Sequence, residues 1–212
     1  MELTKHGHAC VVLSEGDRRL VLDPGAFTDP AALDGASAVL VTHEHFDHVD
    51  PARLRAALDA DPSLEVWTNA SVAKQLEGAG SRVHVVGHGD VVTAAGFEVH
   101  VHGELHAVIH PDIPRIPNIG FLVDGQIFHP GDAFTVPEEP VDTLLLPVNA
   151  PWLKSLEVLE YADKVGARRG FPIHDGLVND VGVVVVDNIL GAVGRRTGKE
   201  YRRLPVGESA DL

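Results

Sequence analysis

Three histidines and an aspartate crowd into the run Thr42-His43-Glu44-His45-Phe46-Asp47-His48. Imidazole and carboxylate are the groups that first-row transition ions take as ligands, at about 2.0–2.2 Å. His43 and His45 are two apart, so on an extended segment both side chains point the same way and can reach one ion. Asp47 and His48 follow where the chain turns, within reach of a second ion. Glu44 and Phe46 point elsewhere. The helical His-Glu-x-x-His pattern is not formed, because position 47 is an aspartate. Two ions need about six or seven protein ligands, and this run gives four. The remainder must come from other strand ends at the same edge. Three exits qualify, each in a Gly- or Pro-marked turn after an apolar run: His106, Asp132 and His174. His100, His102 and His110 lie close to His106 in sequence, and spacing alone leaves the choice among them open.

These residues need a scaffold. Val39-Leu-Val reads as a buried strand that ends at the histidine run, and Asp50-Pro51 reads as the cap and first turn of a helix over 51–60. The cluster thus sits between a strand end and a helix start, where open α/β folds place their chemistry. Short strands are expected over 9–14, 19–22, 65–68, 82–86, 90–94, 97–102, 143–148 and 169–173, with a hairpin at Asp124-Gly125 joining 119–124 to 126–129. Helices are expected over 30–33, 70–77 and 155–165. Residues 103–118 carry three prolines and read as a loop. The run 181–193 is long enough for a helix with Asp180 as its cap, although its valines disfavour one. Residues 201–204 read as a closing strand. Strands followed by helices recur before and after about residue 118, which predicts two facing halves in an α/β/β/α sandwich.

The chain has 17 basic and 31 acidic residues, a formal net charge of −14. That excess disfavours nucleic acid or an anionic membrane as main partner, since both reward clustered Lys and Arg. The lone cysteine, Cys10, rules out an internal disulfide and reads as a buried small hydrophobe. No signal-peptide pattern and no membrane-length apolar run is present, so a cytoplasmic location is expected. The size suits a single domain over 1–212. Homo-oligomerisation is left open.

The ordered pattern His-x-His-x-Asp-His, lone His, Gly-Asp and final His resembles the metallo-β-lactamase-fold hydrolase superfamily. Gly7-His8-Ala9, Leu22-Asp23-Pro24-Gly25 and His174-Asp175-Gly176 are similar to its compact branch of ascorbate-6-phosphate lactonase-like proteins. The resemblance spans nearly the whole chain. It implies that His43, His45 and His106 hold one ion, that Asp47, His48 and His174 hold the other, and that Asp132 bridges them. His106, after the Gly103 bend and before the proline loop, fits this pattern, with His102 as the alternative. Asp47 and Asp132 are then the carboxylates of the reacting centre. Asp23 reads as an ordinary Asp-Pro-Gly turn or, by the resemblance, as a carboxylate orienting the ligand loop. His8 is read as a neighbour of the site, and His129 as a further candidate behind it. His6, His84, His88 and His110 read as surface or loop residues.

The implied activity is metal-dependent hydrolysis of a small ester, lactone or phosphodiester. Two divalent ions, zinc first and manganese, iron or nickel as alternatives, lower the pKa of a shared water from about 15.7 towards 7. No Gly-x-Ser-x-Gly nucleophile elbow is present. The absent export signal, the short length and the acidic charge argue in turn against a secreted β-lactamase, a glyoxalase-type thioesterase and a tRNA-processing nuclease. Arg115, Trp152 and Lys154 are the expected contacts for a small substrate, with Arg115 or Lys154 meeting an anionic one. The rival reading is a non-enzymatic metal-binding sensor or scaffold on the same fold.

Overall fold

In the computed structural model, which describes residues 1–212, two seven-stranded sheets stack face to face. The first contains β1 (Glu2–Lys5), β2 (Val11–Glu15), β3 (Arg18–Leu22), β4 (Ala38–Val41), β5 (Glu65–Thr68) and β6 (Val83–Val85) in that order. The second contains β7 (Val91–Ala94), β8 (Phe97–His102), β9 (Gly120–Val123), β10 (Ile127–His129), β11 (Thr143–Pro147), β12 (Arg169–Ile173) and β13 (Glu200–Tyr201). The last strand, β14 (Ser209–Asp211), returns to the first sheet beside β1. Helices α1 (Pro51–Ala60) and α2 (Ala70–Gln75) cover the first sheet, and α3 (Ser155–Val165) and α4 (Asp180–Thr197) cover the second.

Period-two alternation explains the strands that are apolar throughout. Leu40 faces the core between the sheets, while Val39 and Val41 face α1 and α2. Leu145 likewise faces inward, and Leu144 and Leu146 face α3 and α4. Both faces of each sheet are covered, so neither needs a polar side. The result is the expected four-layer αββα sandwich.

The expected division near residue 118 is wrong. The chain changes sheet between Val85 and Val91, so β7 and β8 belong to the second half. The hairpin pairing Val91↔His100 and the β8–β9 pairing Val99↔Val123 decide this, and neither contact is local enough to be read from periodicity. The expected closing strand at 201–204 shrinks to β13, and β14 closes the fold instead through Leu3↔Ala210. Helix α4 forms despite its valines, because Val186, Leu190 and Val193 recur at helical spacing against α3 and β13. Its cap is Asn179 rather than Asp180, with the Asn179 side chain accepting from the Gly182 N–H at 2.9 Å.

Strands β3, β4, β5 and β6 run parallel, as do β10, β11, β12 and β13. Their carboxyl ends deliver Asp23, His43, Asp132 and His174 to one edge of the sandwich.

Candidate metal centre

Each predicted site residue leaves its element at a specific break. His43 follows Thr42 at the end of β4, and the loop 43–50 ends where Asp50 caps α1 by accepting from the Arg53 N–H at 3.0 Å. Asp132 follows β10 through Pro130 and Gly131, and Gly131 has φ +62°. A Cβ at Gly131 would collide with Thr42 and with the Asn118 amide, so only glycine lets this turn nest against β4. His174 (φ 62°) and Asp23 (φ 49°) hold left-handed backbone at the exits of β12 and β3. Such conformations cost of order 1–3 kcal/mol each and persist where the surroundings fix them.

The structure brings together His43, His45, Asp47, His48, His106, Asp132 and His174. His43, His45, His106 and Asp132 form one group of close ligand atoms, and His8, Asp47, His48 and His174 form another. Asp132 lies between them. Its Oδ2 is 3.3 Å from His106 Nε2 and 3.1 Å from His174 Nε2, and its Oδ1 is 3.1 Å from His48 Nε2. Asp47 Oδ2 is 3.4 Å from His174 Nε2. Glu44 bonds instead to the Ser71 hydroxyl, and Phe46 is exposed.

The hydrogen bonds behind the rings assign their tautomers. His48 Nδ1–H donates to Asp23 Oδ2 (2.6 Å), His106 Nδ1–H to the Ala107 carbonyl (2.7 Å) and His174 Nδ1–H to the Asn149 carbonyl (2.6 Å). Thr42 donates its hydroxyl proton to Asp23, so His43 Nδ1–H donates to Thr42 Oγ1 at 3.0 Å. In its neutral form each ring therefore turns a bare Nε2 towards the centre. The Nε2 atoms of His48, His106 and His174 and the Oδ1 of Asp132 are buried without a hydrogen-bond partner. Buried lone pairs left this way cost free energy unless something binds them. His43 Nε2 and His45 Nδ1 face each other at 3.1 Å. Two nitrogens on one tetrahedral ion at about 2.0–2.1 Å sit about 3.3 Å apart. The donor set therefore suits divalent transition-metal ions.

His8 differs from the others. Its Nδ1 accepts from the Gly176 N–H at 3.0 Å, so the proton is on Nε2, 3.2 Å from Asp47 Oδ2. It presents no lone pair and instead braces Asp47. Asp23 is fully buried and also accepts from the Thr42 N–H at 2.7 Å, which tethers the histidine run to β3. His129 accepts from the Gly131 N–H (3.1 Å) and donates to the Ala9 carbonyl (2.9 Å), fixing the turn before Asp132. The His174 N–H donates to the His8 carbonyl at 2.7 Å, a further stitch from the second sheet to the segment between β1 and β2. In the loop after β3, Gly25 lies so close to Asp47 that any Cβ would overlap the Asp47 carbonyl.

His102 is not in either group; it lies at the end of β8 against Phe128, with ring centroids 5.8 Å apart. His88 and His110 are exposed as expected, but His6 and His84 are half-buried, His84 stacking on Trp67 at 4.7 Å. Cys10 is buried, and burial pushes its thiol pKa up, in keeping with a packing role.

Asn118, Lys5 and Thr42 also serve the site, although no motif marks them. The Asn118 amide accepts from the Asp132 N–H (2.9 Å) and donates to the Pro130 carbonyl (2.9 Å), clamping that turn. Lys5 is buried and donates to Asp175 (2.5 Å) and to the Pro172 carbonyl (2.7 Å), holding the exit of β12. Thr42 links Asp23 to His43. The Trp152 Nε1–H donates to Asp132 Oδ2 at 3.0 Å, a contact that its expected place beside the substrate did not include. A polar residue closing an otherwise apolar strand, as Thr42 does, is the one available signal. Arg115, the expected anion contact, donates to the carbonyls of His106 (2.5 Å) and Leu105 (3.2 Å) and so positions the His106 loop. Lys154 points to solvent near Glu157.

Burial opposes charge on Asp132 and Asp47, but facing histidines outweigh it and hold both carboxyls well below the usual range. Burial likewise opposes charge on His174, yet hydrogen bonds to Asp132 and Asp47 push it up to about 9. Burial and the neighbouring His48 push His43 well down. Without ions, His48 and His174 are the rings held as imidazoliums against Asp132 and Asp47, and an arriving cation must displace their protons.

Residues 2–174 match the family model described as the beta-lactamase superfamily domain. The chain belongs to the beta-lactamase superfamily. Among relatives, Protein Rv0786c of Mycobacterium tuberculosis is 41% identical over 184 residues, 84% of this chain and 85% of that protein. A UPF0173 metal-dependent hydrolase of Methanosphaerula palustris is 28% identical over the full length of both. Among solved structures, Igni18, a metallo hydrolase of Ignicoccus hospitalis, superposes with a TM-score of 0.76 at 16% identity, covering 100% of this chain and 98% of that one. At that identity the likeness speaks for the superfamily fold. No helix is long and apolar enough to cross a membrane.

Within this superfamily member, Trp152 yields a direct test. Trp152→Phe keeps the edge packing on Phe134 (5.2 Å) and removes the N–H to Asp132. Zinc affinity of the variant is expected to fall about 10–100-fold, as for other groups that orient metal ligands. Competition titration against a chromophoric chelator measures it, and unchanged affinity would remove Trp152 from the centre.

Proposed function

We propose that this protein is a hydrolase that holds two divalent ions, zinc by preference, through His43, His45 and His106 on one side and Asp47, His48 and His174 on the other, with Asp132 between them. The observation that carries the reading is the convergence of the partnerless Nε2 atoms of His48, His106 and His174 on Asp132. Bound ions would supply Lewis acidity and a water deprotonated near neutral pH. The chain's own part is to orient. Asp23, Thr42 and the Ala107 and Asn149 carbonyls fix the rings, His8 and Trp152 fix the carboxylates, and the buried walls exclude bulk water.

Access is from the side of His45 and Asp47, the two half-buried members of the set. That rim is apolar. Phe46 is 63% exposed and packs edge-on to Phe27, 5.4 Å away, and Phe27 in turn packs edge-on to His8. Ile109 and Ile113 border a small cavity with His45 and His106. With Arg115 turned onto backbone carbonyls, the rim favours an uncharged ester or lactone bearing an apolar group over an anionic substrate.

A series of aryl esters with lengthening acyl chains tests this on the zinc-loaded protein. We expect kcat/KM to rise about fourfold per added methylene while the chain still contacts the rim, since each buried CH2 contributes about 0.8 kcal/mol. Phe46→Ala should flatten the series through KM. Faster turnover of a phosphodiester than of any ester would overturn the substrate class. Absence of turnover by fully loaded protein on every substrate would favour the non-enzymatic sensor or scaffold instead.

A further inference from the structure

Away from the centre, a second set of ligand-type side chains meets on the outer side of the second sheet. His100 and His102 are two apart on β8, so they share a face, while Val99 and Val101 point into the core. Glu139, on the crossover between β10 and β11, reaches over both. Its Oε1 lies 3.0 Å from His100 Nδ1 and its Oε2 lies 3.3 Å from His102 Nε2. The ligand atoms of all three lie within 4.8 Å of one another.

Two observations separate this set from an ordinary surface ion pair. His102 is only 7% exposed, and its Nε2 is buried with no hydrogen-bond partner, as is Glu139 Oε2. A buried nitrogen and a buried carboxylate oxygen therefore point into the same space unsatisfied. His100 bonds Glu139 Oε1 through Nδ1 and Glu98 Oε1 through Nε2, each at 3.0 Å, so an ion replacing the Nδ1 proton would leave Glu98 holding the ring by its Nε2–H. A carboxylate behind a ligating imidazole is the usual arrangement for fixing its tautomer. His102 also lines a groove of about 440 Å³ with His88, Glu104 and Glu138, giving an ion a route from solvent.

We propose that His100, His102 and Glu139 form a separate site for one divalent transition-metal ion of the zinc or nickel class. Two imidazoles and a carboxylate suit such ions and leave a coordination position for solvent. The site joins β8, which leads into the His106 loop, to the crossover that begins with Asp132. An ion there clamps the two segments that deliver those residues, without touching the centre.

Zinc per chain, measured by elemental analysis after equilibrium dialysis of the full-length protein, tests the site. We expect three ions for the wild type and two for His102→Ala and for Glu139→Gln, with the lost ion bound at least a hundredfold more weakly. In a His48→Ala/Asp132→Ala chain we expect one ion to remain, and to vanish when Glu139→Gln is added. Glu139 is partly exposed, so its isosteric glutamine keeps the fold, which circular dichroism confirms. Equal stoichiometry in wild type and Glu139→Gln overturns the site. A wild type holding one ion that Glu139→Gln removes would support this site while refuting the two-ion centre.

Discussion

Asp132→Ala is expected to lower kcat/KM by at least about a thousandfold, the several kcal/mol that metal activation contributes to such reactions. Asp132 faces both ligand groups. Asp132 is buried, meets His48 through Oδ1 and His106, His174 and Trp152 through Oδ2, and is held at the end of a turn clamped by Asn118. Alanine removes the only negative charge set between the groups, so at least one ion is lost as well. Asp132→Asn separates the two causes, because it keeps the shape and removes the charge. Initial rates and bound zinc, measured on the same preparations, check the result. A variant with wild-type rate would refute a role for Asp132 in the reaction.

Chelation of metal-loaded protein is expected to lower Tm by roughly 15–30 °C. Each ion at a thousandfold excess over its Kd contributes about 4 kcal/mol, and a domain of this size shifts about 2–4 °C per kcal/mol. The proposed ligands come from residues 43–48, 106, 132 and 174, in loops of both sheets, so ions held there would bind only the assembled sandwich. The metal-free protein keeps part of this stability through its carboxylate–imidazolium pairs, and that part depends on pH. The pKa of His174 is raised in the folded state, to about 9. Its contribution is full below the unfolded value of about 6.5 and is lost as pH rises through about 9. The Tm difference between loaded and chelated protein should therefore widen from pH 6.5 to pH 9.5. Calorimetric scans at the two values measure it, and equal Tm before and after chelation would contradict the coupling.

The histidine run was legible because its spacing is local. An apolar strand, alternate imidazoles and an Asp-Pro helix start all lie within a dozen residues. His106, Asp132 and His174 were legible as strand exits, since each follows an apolar run and sits in a Gly- or Pro-marked turn. Lys5, Asn118 and Trp152 were not. Their importance comes from partners far away in sequence, Asp175 for Lys5 and Asp132 for Trp152, and no period or motif announces such pairs. The four layers followed from strands followed by helices, recurring in both halves of the chain. The sheet boundary did not, because it depends on which strand β8 pairs with rather than on its composition. Strand β14 has one buried residue, Ala210, and was invisible to any apolar pattern.

Hydrogen bonds from the second sheet's loops to the segment between β1 and β2 have a mechanical meaning. His174 N–H bonds the His8 carbonyl, His129 bonds the Ala9 carbonyl and Gly176 N–H bonds the His8 ring. Together they act as a suture along the edge that carries the chemistry. Prying the sheets apart there must break all three along with the centre, so partial gaping at that edge is suppressed. Motion that admits substrate is then left to the side chains of the rim, chiefly Phe27, Phe46, Ile109 and Ile113, while the reacting groups stay in register.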